Sequence, residues 1–175
     1  MPRPFPHTFP EGTAVFPYDG DIRESIHRFK YHGRAEYAAF YADCMIRIAG
    51  KEIRAFRPDV LIPVPIHASR LRERGYNQAE ELAKHLSRHL AIPMDAHAMR
   101  RMRKTHPQNA LSPEERKRNV RGAFALRSGG RLPRRVLLVD DIYTTGATAD
   151  ACRKALLEGG AKNVYLLTLA SGRNQ

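Results

Sequence analysis

Cysteine is scarce in this chain. Only Cys44 and Cys152 occur among 175 residues. Neither belongs to a CxxC pair, so the sequence offers neither a disulfide framework nor a zinc knuckle, and a reducing, cytoplasmic setting fits. Long apolar runs are missing too. No stretch approaches the roughly 20 residues of a membrane-spanning helix, and the start MPRPFPHTFPEG lacks the apolar core of a secretory signal. The expectation is a soluble, unexported chain without membrane insertion. Tryptophan is absent and aromatic residues make up 8% of the sequence, which leaves little material for platforms on which nucleic-acid bases stack. No GxxxxGK(S/T) is present and no GxGxxG follows a strand, which argues against a P-loop NTPase and a dinucleotide-binding fold. Acidic residues are in the minority, 18 against 30 basic ones, for a formal charge of +12. Such an excess points to an anionic partner. Nucleic acid is one such partner, and a merely solvated basic surface is the plainer alternative.

What is present centres on Arg134 to Thr148, RRVLLVDDIYTTGAT. Val136, Leu137, Leu138 and Val139 form the short unbroken apolar run of a strand buried on both faces of a parallel sheet. Asp140 and Asp141 are expected to end it, at the carboxyl end where open α/β sheets bind their ligands. Thr144, Thr145, Gly146, Ala147 and Thr148 then open a helix. Unpaired amides and a partial positive charge at such a helix start suit a phosphate. Acids beside a phosphate would repel it on contact, so they are suited to accept hydrogen bonds from neutral hydroxyls, and a ribose offers two.

The length suits one domain with a proper core. Residues Met1 to Gly12 carry four prolines and read as an extended arm, taken to run to residue 17, ahead of a domain over 18–175. Asp21 precedes Ile22, Ile26 and Phe29, the spacing of a short helix capped by Asp21; Ala38, Tyr41, Met45, Ile48 and Ala49 mark a longer one, with Cys44 as a core neighbour. Val60 to Val64 read as a second buried strand. The segment IHASRLRERGYNQ follows as a loop, in which Arg70 can fork onto phosphate oxygens. Asn77 is a good cap for a helix bearing Ala79, Leu82, Ala83, Leu86 and Leu90. His85 and His89 on that helix lack a third ligand and read as boundary residues, not a zinc site. A basic flap spans about 94–126, with strands near Ala96–Met102 and Val120–Leu126. It could close over a polyphosphate and exclude water, or track a nucleic-acid backbone. Gly159 and Gly160 end the helix after the acid pair, and Asn163 to Ala170 read as a last buried strand, completing a βαβ unit. No internal repeat occurs.

VLLVDDIYTTGAT resembles the 5-phosphoribosyl 1-diphosphate (PRPP) signature of type I phosphoribosyltransferases. Together with YDGDIRESIHRFKYHGR, PVPIHASRLRERGYNQAEELA and RKTHPQNALSPEERKRNVRGAF, it is similar to the ComF branch of phosphoribosyltransferase-like proteins, associated with bacterial competence and uptake of single-stranded DNA. The resemblance covers the chain from about Tyr18 onward. It implies an α/β fold of the type I phosphoribosyltransferase kind: a central parallel sheet flanked by helices, with a flap hairpin. It implies that Asp140 and Asp141 hold the ribose and that Thr144, Thr145, Gly146, Ala147 and Thr148 hold the 5′-phosphate. Pro65, Ile66, His67 and Arg70 would form the pyrophosphate loop, with Arg70 catalytic alongside the two acids. Lys104, Thr105, Gln108, Arg116 and Asn119 match the flap. Magnesium would enter with PRPP and not by direct side-chain ligation. Single-stranded DNA and competence proteins are the implied partners, and the acceptor and oligomeric state are not implied at all. Family members usually carry an N-terminal four-cysteine zinc module, which these residues lack. Two functional classes remain open: a transferase moving phosphoribosyl to an acceptor with release of pyrophosphate, or a PRPP- or nucleotide-binding adaptor or single-stranded-DNA binder without turnover.

Overall fold

The structure is a computed structural model and describes residues 3–4, 11–31, 35–102, 122–127 and 132–172. Its central strand is β6 (Arg135–Tyr143). This strand lies between β3 (Val60–Pro63) and β7 (Asn163–Ser171), both parallel to it. Beyond β7 come β2 (Gly12–Pro17), again parallel, and the short antiparallel β1 (Arg3–Pro4) at the edge, giving the order β1-β2-β7-β6-β3. A separate antiparallel pair joins β4 (Met99–Arg101) to β5 (Phe124–Leu126).

The unbroken run in β6 is explained by its two covered faces. Side chains alternate across a strand, so Val136 and Leu138 pack with α5 (Ala147–Glu158) and with Met99 and Phe124 of the small hairpin. Leu137 and Val139 pack on the other face with α1 (Gly20–Tyr31), α2 (Tyr37–Phe56) and α4 (Gln78–Leu90). All four are fully buried. Burying each such side chain is worth roughly 1.5–3 kcal/mol, which fixes the register on which the acid pair depends. The helix α2 ends where the chain turns left-handed at Arg57, ahead of Pro58. Cys44 packs partly buried against this core as expected.

Four expectations need correction. The arm assigned to residues 1–17 is not wholly outside the core: Gly12–Pro17 form a strand on β7, with Ala14 and Val15 buried. The partner of that strand lies about 150 residues away, so no local pattern announces it. Asp141 and Asp140 do not end β6. Pairing with β7 continues to Tyr143, whereas pairing with β3 stops at Val139, so the acids sit on a strand that has lost one neighbour. The first helix starts at Gly20, which puts Asp21 inside its first turn. Finally, the segment read as a loop after β3 contains a helix, α3 (Ala68–Arg74), ended by the left-handed Gly75 at φ 82°.

Candidate functional site

Where β3 stops and β6 runs on, the sheet opens into a cleft of about 800 Å³, within the usual range for small-molecule sites. Asp140 and Asp141 line it, with Thr144 and Thr148 behind them and Pro65, Ile66 and Arg70 on the β3 side. The structure thus brings the expected acids, turn and arginine to one place.

The two acids are neighbours with different surroundings. Asp140 continues the face of Val136 and Leu138, toward Cys152; Asp141 continues the face of Leu137 and Val139. The Asp141 amide donates to Asp140 Oδ1 at 2.8 Å. Asp141 Oδ2 lies 2.7 Å from Lys30 Nζ, and both side chains are largely withdrawn from solvent, 13% and 17% exposed. Asp140 is partly exposed and lines the cleft. Burial, and next the Asp141 charge, push its carboxyl well above the usual aspartate range. Burial also raises the Cys152 thiol, and the Asp140 charge adds to the effect.

The threonine turn owes its shape to Gly146, left-handed at φ 79° at the start of α5, a conformation that favours glycine. Its carbonyl accepts from the Asp150 amide at 2.8 Å. Gly146 and Ala147 are buried behind the cleft lining, while Thr145 carries a buried hydroxyl oxygen without a hydrogen-bond partner among the described residues. An unpaired donor beside a helix N-terminus is what an incoming phosphate would satisfy.

On the β3 side, Asn77 does two jobs. Its Nδ2 donates to the Val64 carbonyl at 3.0 Å, and its Oδ1 accepts from the Ala79 amide at 3.2 Å, capping α4 and anchoring the turn through Pro65. His67, whose backbone the resemblance assigns to the pyrophosphate loop, puts its side chain to a structural use. Its Nδ1 accepts from the Ser69 amide at 3.2 Å and caps α3, and its side chain is not part of the cleft wall. Arg70, one turn later, does reach the cleft. The flap residues Lys104, Thr105, Gln108, Arg116 and Asn119 lie outside the described residues.

Sequence reasoning missed Lys30 at the site and placed Arg101 only within the basic flap of about 94–126. Lys30 stands four residues after Ile26, on the buried stripe of α1, and that register was the available signal. Arg101 shares its strand face with the buried Met99, and its guanidinium packs 5.2 Å from the Phe124 ring centroid. Burial, and then the positive charge of Arg70, lower the Arg101 pKa. Arg70 and Arg101 line the same cleft, and guanidiniums suit an anion's oxygens. Among the described residues no group of three or more His, Cys, Asp or Glu gathers. No helix among those residues is long and apolar enough to cross a membrane.

The chain is 36% identical over 150 residues to Competence protein F of Haemophilus influenzae, covering 83% of this chain and 66% of that protein. It is 34% identical over 166 residues to DNA utilization protein YhgH of Shigella flexneri, covering 89% of this chain and 70% of that one. The chain belongs to the ComF family. It spans about two thirds of the length of these ComF relatives. No protein-family model matches it. Among solved structures, a purine phosphoribosyltransferase from Pyrococcus horikoshii overlays with a TM-score of 0.49 at 22% identity, covering 75% of this chain and 73% of that one. No residue role in this ComF chain follows from that overlay.

Proposed function

We propose that this ComF protein binds PRPP in the β6 cleft and acts as a phosphoribosyltransferase-like protein of DNA uptake, on the cytoplasmic side of that process. One observation carries the reading: a single cleft gathers an acid pair, Thr144 and Thr148 of a glycine-shaped helix start, and two arginines. Each matches one part of the ligand. The diol of the ribose donates to Asp140 and Asp141. The 5′-phosphate accepts from the amides and hydroxyls of Thr144 to Thr148, and the diphosphate meets Arg70 and Arg101.

In a transfer reaction the bond between C1 of the ribose and the diphosphate breaks and an acceptor bonds to C1 in its place. Positive charge develops on the ribose, and the acids steady it while the arginines hold the departing anion. Magnesium entering with the diphosphate would lie near Asp140 and Asp141 and would supply charge neutralisation for the leaving group. The relatives' names, Competence protein F and DNA utilization protein, support a place in the handling of incoming DNA.

Calorimetry with PRPP and magnesium tests the assignment. Wild type is expected to bind, and Asp140→Asn with Asp141→Asn to lose most of the affinity; equal affinity in the double variant overturns the ribose assignment. Pyrophosphate release on adding candidate acceptors distinguishes turnover from binding alone. A second reading, a single-stranded-DNA-binding adaptor without turnover, is favoured by basic side chains outside the cleft, among them the exposed Arg72, Arg88 and Arg100.

A further inference from the structure

We infer that Lys30 is the residue that makes this cleft select a ribose bearing an anion beside its diol, exchanging Asp141 for that anion when the ligand binds. The inference deepens the PRPP reading and rests on it. In the free protein the ammonium of Lys30 and the carboxylate of Asp141 neutralise one another at 2.7 Å, with little exposure of either side chain. A diol that takes Asp141 Oδ2 as its acceptor competes with that ammonium for the same oxygen. A buried charge stripped of its partner is strongly unfavourable, so a ligand that supplies only hydroxyls meets resistance. A ligand that supplies the diol together with a diphosphate replaces the lost partner as it removes it.

The surrounding structure allows this exchange through the side chain alone. Ile26 and Phe29 are fully buried and fix α1 against the core. The Tyr76 hydroxyl donates to the Phe29 carbonyl, which pins the helix one residue before Lys30. The backbone is therefore held, while the four-carbon stem and rotatable donors of a lysine let its head group swing between two acceptors. Lys30, Arg70 and Arg101 line the same cleft, so the ammonium stays among groups that the PRPP reading assigns to the diphosphate.

The test compares two probes, PRPP and ribose 5-phosphate, each with magnesium, by calorimetry on the full chain. In wild type PRPP binds the tighter. Lys30→Gln should cut the ratio of PRPP to ribose 5-phosphate affinity by about tenfold or more, the value of a hydrogen bond to a charged group, whereas Lys30→Arg should largely preserve it. Lys30→Met, which retains the stem volume, serves as a second neutral variant, and thermal melts confirm that each variant folds. A ratio that is unchanged or raised in the folded neutral variants overturns the inference even if PRPP binds well. Wild type that binds neither probe overturns the PRPP reading itself, and the inference falls with it.

Discussion

At Asp140 the needs of the fold and of the ligand conflict. Its carboxyl holds a proton well beyond the pH at which an exposed aspartate releases one, because burial and Asp141 both oppose its charge. Between the ordinary aspartate pKa and that raised value, the folded chain binds more protons than the unfolded chain, so this group's contribution to stability falls as pH rises through the interval. Asp140→Asn removes the liability. It should raise the melting temperature at neutral pH, by a gain on the order of 1 kcal/mol, and the gain should vanish in acid below the ordinary aspartate pKa. Melts across that range check the sign; a lower melting temperature at neutral pH would mean that the ionised carboxylate supports the fold. Gly146 behaves in the opposite way. With φ at 79°, Gly146→Ala should cost about 1–2 kcal/mol and weaken PRPP binding by reshaping the amides, measurable by denaturation and calorimetry together. Both residues were legible in the sequence, since acid pairs and glycine turns have local signatures. Lys30 was not, because its partner Asp141 lies more than a hundred residues away and a lysine at a helix end reads as a solvated charge.

Elements with a local signature were legible in the same way. The βαβ unit from β6 to β7 follows from two continuous apolar runs and the glycines between, and α4 follows from Asn77 and its apolar stripe. Asn77→Ala removes the cap and leaves the Val64 carbonyl without its donor, an expected loss of about 2–3 kcal/mol when both terms are taken together. Asn77→Asp keeps the cap and loses only the amide donor, so it should cost less; equal losses in urea denaturation would show that the cap is the minor term. The strand β2 and the helix α3 were not legible. The first owes its existence to β7 at the far end of the chain, and the second buries no side chain and depends on the His67 ring as its cap. A helix of that kind leaves no apolar period to read. The hairpin bearing Arg101 was foreseen as two strands, but its contribution to the cleft depends on which strand face meets α5, and a run of arginines does not reveal that.

At the scale of the whole molecule the chain is basic by +12, and its described basic side chains fall into a cleft share and an outer share that make separable predictions. Arg101 is turned into the cleft beside Arg70, whereas its neighbour Arg100 is exposed. If the outer share serves DNA, single-stranded oligonucleotides should bind without regard to sequence and weaken steeply with salt, since each neutralised phosphate contributes a logarithmic slope of about −0.7 for single strands. Arg100→Ala should then reduce that slope by about one such contribution and leave PRPP binding unchanged. Arg101→Ala should do the reverse, lowering PRPP affinity with little effect on the salt slope. Fluorescence anisotropy across a salt series, paired with PRPP calorimetry on the same samples, measures both. Should Arg101→Ala weaken both ligands in parallel, the cleft itself would be where the strand passes, and the division of charge into two shares would be wrong.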